Sequence, residues 1–141
     1  MTTRADVVTE ARAWLGTPFH HMARAKAIGV DCSGLLVGVC RALGLLPATF
    51  DTPAYTQTPN AELILEGCQR YLTPVTFEAM QPGDVILLIL HRRPQHLGIV
   101  ADYRHGGLSI IHAVPPRVIE TRLLFSRAMR FAAAYSLPGI A

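Results

Sequence analysis

At residues 29–36 the chain reads Gly-Val-Asp-Cys-Ser-Gly-Leu-Leu, which places one cysteine, Cys32, at the predicted start of an amphipathic helix. Apolar residues recur at helical spacing from Ser33 to Leu43, and Gly44 follows where helices commonly end. A helix N-terminus offers unpaired N–H groups and the positive end of the helix dipole, which favour a thiolate over a thiol. The stretch therefore predicts a helix whose first residue is a candidate nucleophile.

A first helix is predicted before this one. Residues 4–15 carry apolar side chains at helical spacing, and Thr3 with Asp6 has the spacing of a capping box. Residues 17–30, which lead up to the cysteine, show no clear period and are predicted to be a loop.

A third helix is predicted after a Thr- and Pro-rich surface loop, Pro47–Pro59. Thr58 and Pro59 suit its N-cap and first position. The side chains expected to face inward are Leu63, Ile64, Cys68 and Tyr71.

The pattern changes to β after the turn signal Gln81-Pro82-Gly83-Asp84. Val85–Leu90 is an unbroken apolar run, which is typical of a strand covered on both faces. Helices followed by an antiparallel sheet predict an α+β fold, and 141 residues suit a single domain, residues 1–141. The other predicted strands are His96–Tyr103 and Leu108–Val114, with Val118–Thr121 and Phe131–Leu137 at the edges.

The composition argues against several classes of protein. The formal net charge is +3, and the 13 Lys and Arg residues are scattered rather than gathered in a stripe, so no nucleic-acid partner is expected. No run approaches the ~18 apolar residues of a membrane span, and the N-terminus lacks the apolar core of a signal peptide. We therefore expect a protein made in the cytoplasm without a cleaved signal and without membrane insertion.

Three cysteines, Cys32, Cys40 and Cys68, cannot all pair within one chain, and we interpret them as reduced thiols. The spacings of familiar zinc motifs, such as Cys-x-x-Cys and His-x-x-x-His, do not occur, so no metal site is expected. Cys40 and Cys68 lie on predicted inward faces and are expected in the core.

A thiol nucleophile needs a general base within reach and a third group that orients the base. His96 and His112 suit these roles because both lie on predicted strands, which fix side-chain direction. If Tyr103 pairs with Leu108, the two histidines point to opposite faces of the sheet. An odd loop, or a bulge at the glycine pair of the turn, shifts the register by one residue and makes them neighbours on one face. That is the arrangement we predict.

Neighbouring residues complete the candidate site. In that register Gly98 shares a face with His96 and leaves an open spot where a substrate backbone can approach. The N–H of Cys32 is the expected oxyanion donor, and Ser33 is interpreted as a helix cap rather than a second nucleophile. A simpler interpretation stays open for each residue, since buried cysteines and strand histidines often serve packing alone.

Five segments together resemble the NlpC/P60 cysteine peptidases, in the order found in that family. The resemblance implies a papain-like α+β fold and cleavage of peptide stems in bacterial peptidoglycan, commonly beside a D-glutamyl residue linked through its side chain. By position Cys32 matches the nucleophile, His96 the general base and His112 the residue that orients the base, and no metal or cofactor is implied. The segments are Ala13-Trp14-Leu15-Gly16-Thr17-Pro18-Phe19, Asp31-Cys32-Ser33-Gly34-Leu35, Gln81-Pro82-Gly83-Asp84-Val85, His96-Leu97-Gly98-Ile99-Val100 and Ile111-His112-Ala113.

The short form without a signal, with a histidine after the Gly-Thr-Pro-aromatic element, resembles the branch of this family found in tail tips and baseplates of bacteriophages and gene transfer agents. That resemblance implies a virion protein that opens the cell wall during DNA delivery, with tail-tip or baseplate proteins as partners. The residues expected beside the oxyanion or the substrate are Phe19, His20, His21, Asp31, Ser33 and Gly98.

Phe19 departs from the family, whose members usually have a tyrosine there, because a phenyl ring cannot donate a hydrogen bond. Either His20 or His21 substitutes for that hydroxyl, or the enzyme is weak. Two alternatives therefore stay open. One is a structural tail or baseplate subunit with little activity, and the other is an acyltransferase or amidase on the same scaffold.

Overall fold

Three helices and eight strands make up the part of the chain that the computed structural model describes, residues 1–46, 61–90 and 92–140, with the backbone alone for residues 61–65, 93 and 94. The helices are α1 (Arg4–Arg12), α2 (Cys32–Ala42) and α3 (Ala61–Tyr71). The strands are β1 (Arg24–Ala25), β2 (Gly29–Val30), β3 (Thr73–Val75), β4 (Val85–Leu90), β5 (Arg93–Asp102), β6 (Leu108–Val114), β7 (Arg117–Arg122) and β8 (Met129–Ser136). The predicted α+β fold is confirmed.

Six of the strands form one antiparallel sheet in the order β3-β8-β4-β5-β6-β7. β4 lies inside the sheet and is buried over Val85–Leu88, which confirms a strand covered on both faces. β8 lies between β3 and β4, so the prediction that Phe131–Leu137 forms an edge strand was wrong. The edge strand on that side of the sheet is β3, which has three residues and is too short to show an alternating pattern in the sequence.

The segment before the cysteine also differs from its prediction. Within residues 17–30, predicted to be a loop, β1 and β2 form a separate antiparallel hairpin. Each of its strands has two residues, fewer than any periodicity can reveal. The hairpin matters because its second strand leads directly into α2.

α1 begins as predicted but ends earlier. Thr3 accepts from the N–H of Asp6 at 3.1 Å, and the Asp6 carboxylate accepts from the N–H of Thr3 at 2.9 Å, which completes the capping box. The helix ends at Arg12 rather than near residue 15 because the chain turns and joins β7. There the N–H of Gly16 donates to Val118, and the N–H of Val118 donates to Thr17.

The C-terminal half of α3 can be compared with its prediction. Cys68 is buried, as expected, whereas Tyr71 is half-exposed, which corrects its assignment to the inward face. Tyr71 is the last residue of the helix, and its ring lies beside the guanidinium of Arg70. The predicted loop Pro47–Pro59, the proposed cap at Thr58-Pro59 and the side chains of Leu63 and Ile64 fall outside the described residues.

The sheet has an apolar layer on each face. The larger layer packs the sheet against the helices and includes Val7, Trp14, Leu35, Val39, Leu97, Ile99 and Ile111. The smaller one, on the opposite face, includes Met80, Ile86, Leu88, Val100 and Ile110. The alternation along β5 therefore assigns odd-numbered side chains to the helix face and even-numbered ones, including His96, to the other. In the described part of the chain no helix is long and apolar enough to cross a membrane.

A buried ion pair ties α1 to the turn before β4. The carboxylate of Asp84 is fully buried, pairs with the guanidinium of Arg4, and accepts from the N–H of Gln81 at 2.9 Å. Asp84 therefore positions the start of the central strand, and its role is structural.

Candidate active site

Cys32 occupies the first turn of α2, and a network around Asp31 holds it there. Asp31 is the N-cap, and its Oδ1 accepts from the N–H of Gly34 at 2.8 Å. The interpretation of Ser33 as the cap was wrong, because the Ser33 hydroxyl instead donates to Asp31 at 3.4 Å. The residue that defines the helix start is thus the one directly before the nucleophile candidate.

The same carboxylate binds the chain that precedes it. Asp31 Oδ1 pairs with the guanidinium of Arg24 at 2.8 Å, and Oδ2 accepts from the N–H of Met22 at 2.8 Å. Gly34 allows this close approach, since a Cβ at that position would lie 2.4 Å from the carbonyl oxygen of Ala23. Asp31 is therefore a positioning residue that is fully engaged within the protein.

The ladder between β5 and β6 ends where Cys32 approaches the sheet. Its last pair is Ile99 with Ile111, and the alternation of hydrogen bonds would next direct the N–H of Leu97 to the carbonyl of Ala113. Instead the Leu97 N–H hydrogen-bonds to the thiol group of Cys32. The start of α2 thus takes the place of a β6 partner, and it brings Cys32 to the residue that follows His96.

His96 and His112 form a direct pair. His96 Nε2 lies 2.8 Å from His112 Nδ1, and the ring centroids are 5.1 Å apart. The register pairs Asp102 with Leu108, one residue away from the pairing that would separate the histidines. The shift arises in the turn before β6, where Gly106 and Gly107 both have positive φ. The predicted register is confirmed, and the two histidines are diagonal neighbours on one face.

Gly98 does not leave the open spot that was predicted beside the base. A Cβ at Gly98 would lie 2.5 Å from the side chain of Ile110, so that space is already filled. Ile110 is a diagonal neighbour of Gly98 across β5 and β6, and its side chain lies over the glycine. Gly98 serves close packing, and the approach of a substrate must lie elsewhere.

Phe19 and the two histidines after it lie in the segment that leads to the hairpin before α2. Phe19 is half-buried against the helix-side core, and its N–H donates to the carbonyl of Pro116 at 2.9 Å. The side chain of His20 is exposed, with Nδ1 3.2 Å from the carbonyl oxygen of His21. The idea that His20 or His21 replaces a tyrosine hydroxyl therefore stays a prediction.

The three central side chains are nearly excluded from solvent, with exposures of 8% for Cys32, 5% for His96 and 6% for His112. Burial raises the pKa of the Cys32 thiol to about 11, and the N–H groups of Leu97 and Ser33 act in the opposite direction. Burial, with His112 as a second cause, lowers the pKa of His96 to about 3, and burial lowers the pKa of His112 to about 4. At neutral pH the thiol of Cys32 and the imidazoles of His96 and His112 are therefore uncharged.

The tautomers follow from the role that His96 would have to play. For His96 Nδ1 to accept a proton from a thiol, Nε2 must carry the hydrogen and donate to His112 Nδ1. His112 then carries its own hydrogen on Nε2, a buried atom with no hydrogen-bond partner in the described part of the chain. His112 can therefore hold the ring of His96 in the tautomer that acts as a base.

The described residues contain no group of three or more His, Cys, Asp or Glu side chains placed to hold a metal ion. Cys40 and Cys68 are buried in the helix-side core, as predicted. Residues 104–107 form the predicted turn, and His105 is exposed there, while His91 lies outside the described residues.

Sequence reasoning missed three features that shape the site. Arg24 pairs with Asp31, the Leu97 N–H faces Cys32, and Gln95 is buried directly before His96. A backbone N–H carries no side-chain signal, and the spacing between Arg24 and Asp31 matches no regular element. Of these three features, only Gln95 could have been found from the sequence, because it is adjacent to the candidate base His96.

With this geometry the chain can be compared with solved structures. It aligns with the NlpC/P60 domain of the peptidoglycan hydrolase SagA at a TM-score of 0.63 and 21% identity, covering 96% of this chain and 100% of that one. It aligns with NlpC2 from Trichomonas vaginalis at a TM-score of 0.70 and 16% identity, covering 97% of this chain and 47% of that one. The chain therefore has the fold of NlpC/P60 domains.

A third solved structure that shares the fold is an amidase. An N-acetylmuramoyl-L-alanine amidase from Bacteroides uniformis aligns at a TM-score of 0.59 and 10% identity, covering 95% of this chain and 98% of that one. No family model matches the sequence, and no curated protein matches it. At these identities the comparisons establish the fold alone.

The buried histidine pair predicts an acid-labile fold. The unfolded chain takes up protons near the ordinary histidine pKa of 6.5, whereas the folded pair stays neutral to about pH 4. The free energy of unfolding should therefore fall as pH falls from about 6.5 to 4, by up to about 1.4 kcal/mol per pH unit for each histidine. Urea unfolding at a series of pH values measures this slope.

The double variant His96→Asn/His112→Asn should flatten that slope, while His105→Asn, in the exposed turn, should leave it unchanged. An equally steep slope in the double variant would contradict the assignment of acid lability to this pair.

The Cys32 thiol should be protonated at neutral pH. Because burial holds its pKa near 11, thiolate absorbance should be absent at pH 7 and should appear only in alkaline solution. The variants Cys40→Ala and Cys68→Ala identify the signal that belongs to Cys32. A Cys32 thiolate already present at pH 5 would show that the thiol and His96 exist as a preformed ion pair.

Proposed function

We propose that this chain is a cysteine hydrolase that cleaves peptide stems of bacterial peptidoglycan. The observation that carries the proposal is the His96–His112 pair, in which Nε2 of His96 lies 2.8 Å from Nδ1 of His112. The pair lies where the ladder between β5 and β6 ends and where the start of α2 places Cys32 against the sheet. The substrate class is supported by the NlpC/P60 fold and by the activities of a peptidoglycan hydrolase and an N-acetylmuramoyl-L-alanine amidase that share it. The alternative is a structural subunit that keeps the fold without activity.

The proposed reaction begins with the neutral pair. His96 Nδ1 takes the proton of the Cys32 thiol as the sulfur attacks the carbonyl carbon of the scissile amide. The N–H of Cys32, in the first turn of α2, is placed to stabilise the resulting oxyanion. The imidazolium of His96 donates through Nε2 to His112 and is held in place by that bond.

The intermediate then collapses and the C–N bond breaks. His96 returns its proton to the leaving amine, which departs, and the acyl group stays on sulfur as a thioester. Water attacks the thioester with His96 as base, which releases the carboxylic acid and regenerates the thiol. Peptide and water are consumed, two product fragments are formed, and no cofactor takes part.

The decisive experiment is digestion of purified peptidoglycan under reducing conditions. Cys32→Ala should lower the rate by about 10⁴-fold or more, and His112→Ala by about 10²- to 10⁴-fold, because His112 only orients the base. The control Cys40→Ala removes a thiol from the core and should keep near-wild-type activity. Mass spectrometry of the products distinguishes cleavage within the stem from cleavage of the amide to the muramic acid.

Two results would count against this assignment. Absence of cleavage by the wild type would favour the structural subunit. Cleavage that survives in Cys32→Ala would remove Cys32 as the nucleophile.

We also propose that the hydrolase is carried in a phage-like tail or baseplate, in contact with tail-tip proteins, and opens the wall during DNA delivery. The support is the resemblance of Gly16-Thr17-Pro18-Phe19 followed by His20 to that branch of the family. Purified particles from producing cells should contain the protein at the tail tip, detectable by immunogold labelling. Recovery from the cells alone, with none in the particles, would contradict this location.

A further inference from the structure

Gln95 directly precedes His96 and is buried, with 8% of its surface exposed. It sits at an irregularity in the ladder of β4 and β5, where Leu88 pairs with His96 and Ile89 pairs with Pro94. Gln95 is therefore the extra residue of a β-bulge. Bulges re-aim side chains and occur often beside active sites.

The carboxamide of Gln95 has no hydrogen-bond partner in the described part of the protein. Buried amides are normally paired, and an unpaired one costs free energy. Gln95 keeps 8% of its surface exposed, so its side chain is not completely excluded from solvent. The carboxamide is therefore not used by the fold and is available to a ligand.

The other polar side chains around the start of α2 are already engaged. The carboxylate of Asp31 binds two N–H groups and a guanidinium, and the hydroxyl of Ser33 donates to that carboxylate. The side chain of Phe19 has no polar group. Among these residues Gln95 is the one with unused hydrogen-bonding capacity.

The proposed reaction decides which part of a substrate Gln95 would meet. The oxyanion forms at the N–H of Cys32, on the side of α2, whereas His96 must reach the leaving nitrogen to protonate it. The bulge interrupts the alternation of side chains along β5, so we infer that Gln95, the residue bonded to His96, lies with it on the leaving-group side of the scissile bond.

We propose that Gln95 recognises the leaving-group side of the peptide substrate through hydrogen bonds to one of its peptide units. This inference rests on the proposed function and specifies one side of its substrate. A carboxamide offers N–H donors and a C=O acceptor, which complement the C=O and N–H of a peptide group. Gln95 thereby selects substrates that continue as a peptide beyond the scissile bond.

The test compares two substrates that share one acyl group. One is a stem peptide with a dipeptide as leaving group, and the other is the p-nitrophenyl ester, whose leaving group has no peptide unit. Gln95→Met keeps the length of the side chain and removes its amide. It should lower kcat/KM for the peptide by about tenfold to a hundredfold and leave the ester within about twofold.

The matched control is Gln69→Met, a same-type change on the exposed surface of α3, which should alter neither substrate. Equal loss on both substrates in Gln95→Met would show that the residue only supports His96, and no loss on either would show that it does not contact the substrate. Both results overturn the proposal.

A second measurement separates this proposal from the proposed function. The free leaving-side dipeptide should inhibit ester hydrolysis competitively, about tenfold or more weakly in Gln95→Met than in the wild type. If the wild type hydrolyses the ester but no stem peptide, the proposed function fails, and the inhibition constants still decide the role of Gln95. Equal inhibition constants in the wild type and in Gln95→Met would overturn the proposal that Gln95 binds the leaving-group side.

Discussion

The carboxylate of Asp31 is the group on which the site depends. It caps α2, pairs with Arg24 and accepts from the N–H of Met22, so one buried carboxylate joins the start of α2 to the segment that contains Met22 and Arg24. A buried carboxylate is costly unless it is paired and hydrogen-bonded, and here both oxygens are occupied. The arrangement fixes the direction of the α2 axis, and with it the position of Cys32.

The end of the β5–β6 ladder supplies the complementary surface. Continuous pairing would leave no room for a helix terminus, because the N–H of Leu97 would be bound to β6. The strands instead stop pairing at Ile99 and Ile111, and the thiol of Cys32 takes that N–H. A sheet that is regular over most of its length thus forms the candidate active site at the point where its hydrogen bonding stops.

Burial determines the chemistry that this centre can perform. A thiol with its pKa raised and a histidine pair with pKa values lowered favour a neutral resting state over an ion pair. In the proposed reaction the proton is therefore transferred as the sulfur attacks, and the N–H of Cys32 and the His96–His112 bond stabilise the charges that develop. In that reaction His112 holds the tautomer of His96 and does not contact the substrate.

The local elements followed from the sequence because their causes are local. The capping box of α1, the apolar run of β4 and the start of α2 at Cys32 each depend on neighbours a few residues apart. The pairing of His96 with His112 could also be anticipated. The number of residues in the turn sets the register of β6 against β5, and the register decides which face of the sheet each side chain occupies. The resemblance to NlpC/P60 peptidases pointed to the fold that the solved structures share.

Tertiary structure decided what depends on distant segments. Ile110 fills the space above Gly98, β3 pairs outside β8, and Asp31 rather than Ser33 caps α2 because Arg24 and Met22 reach it from the preceding hairpin. The burial that neutralises Cys32 and His96 likewise arises only when helix and sheet close over them. The sequence by itself determined which residues are the candidates for the chemistry, through local periodicity and spacing. The protonation states of these side chains and their exposure to solvent were decided by long-range packing, which no local pattern encodes.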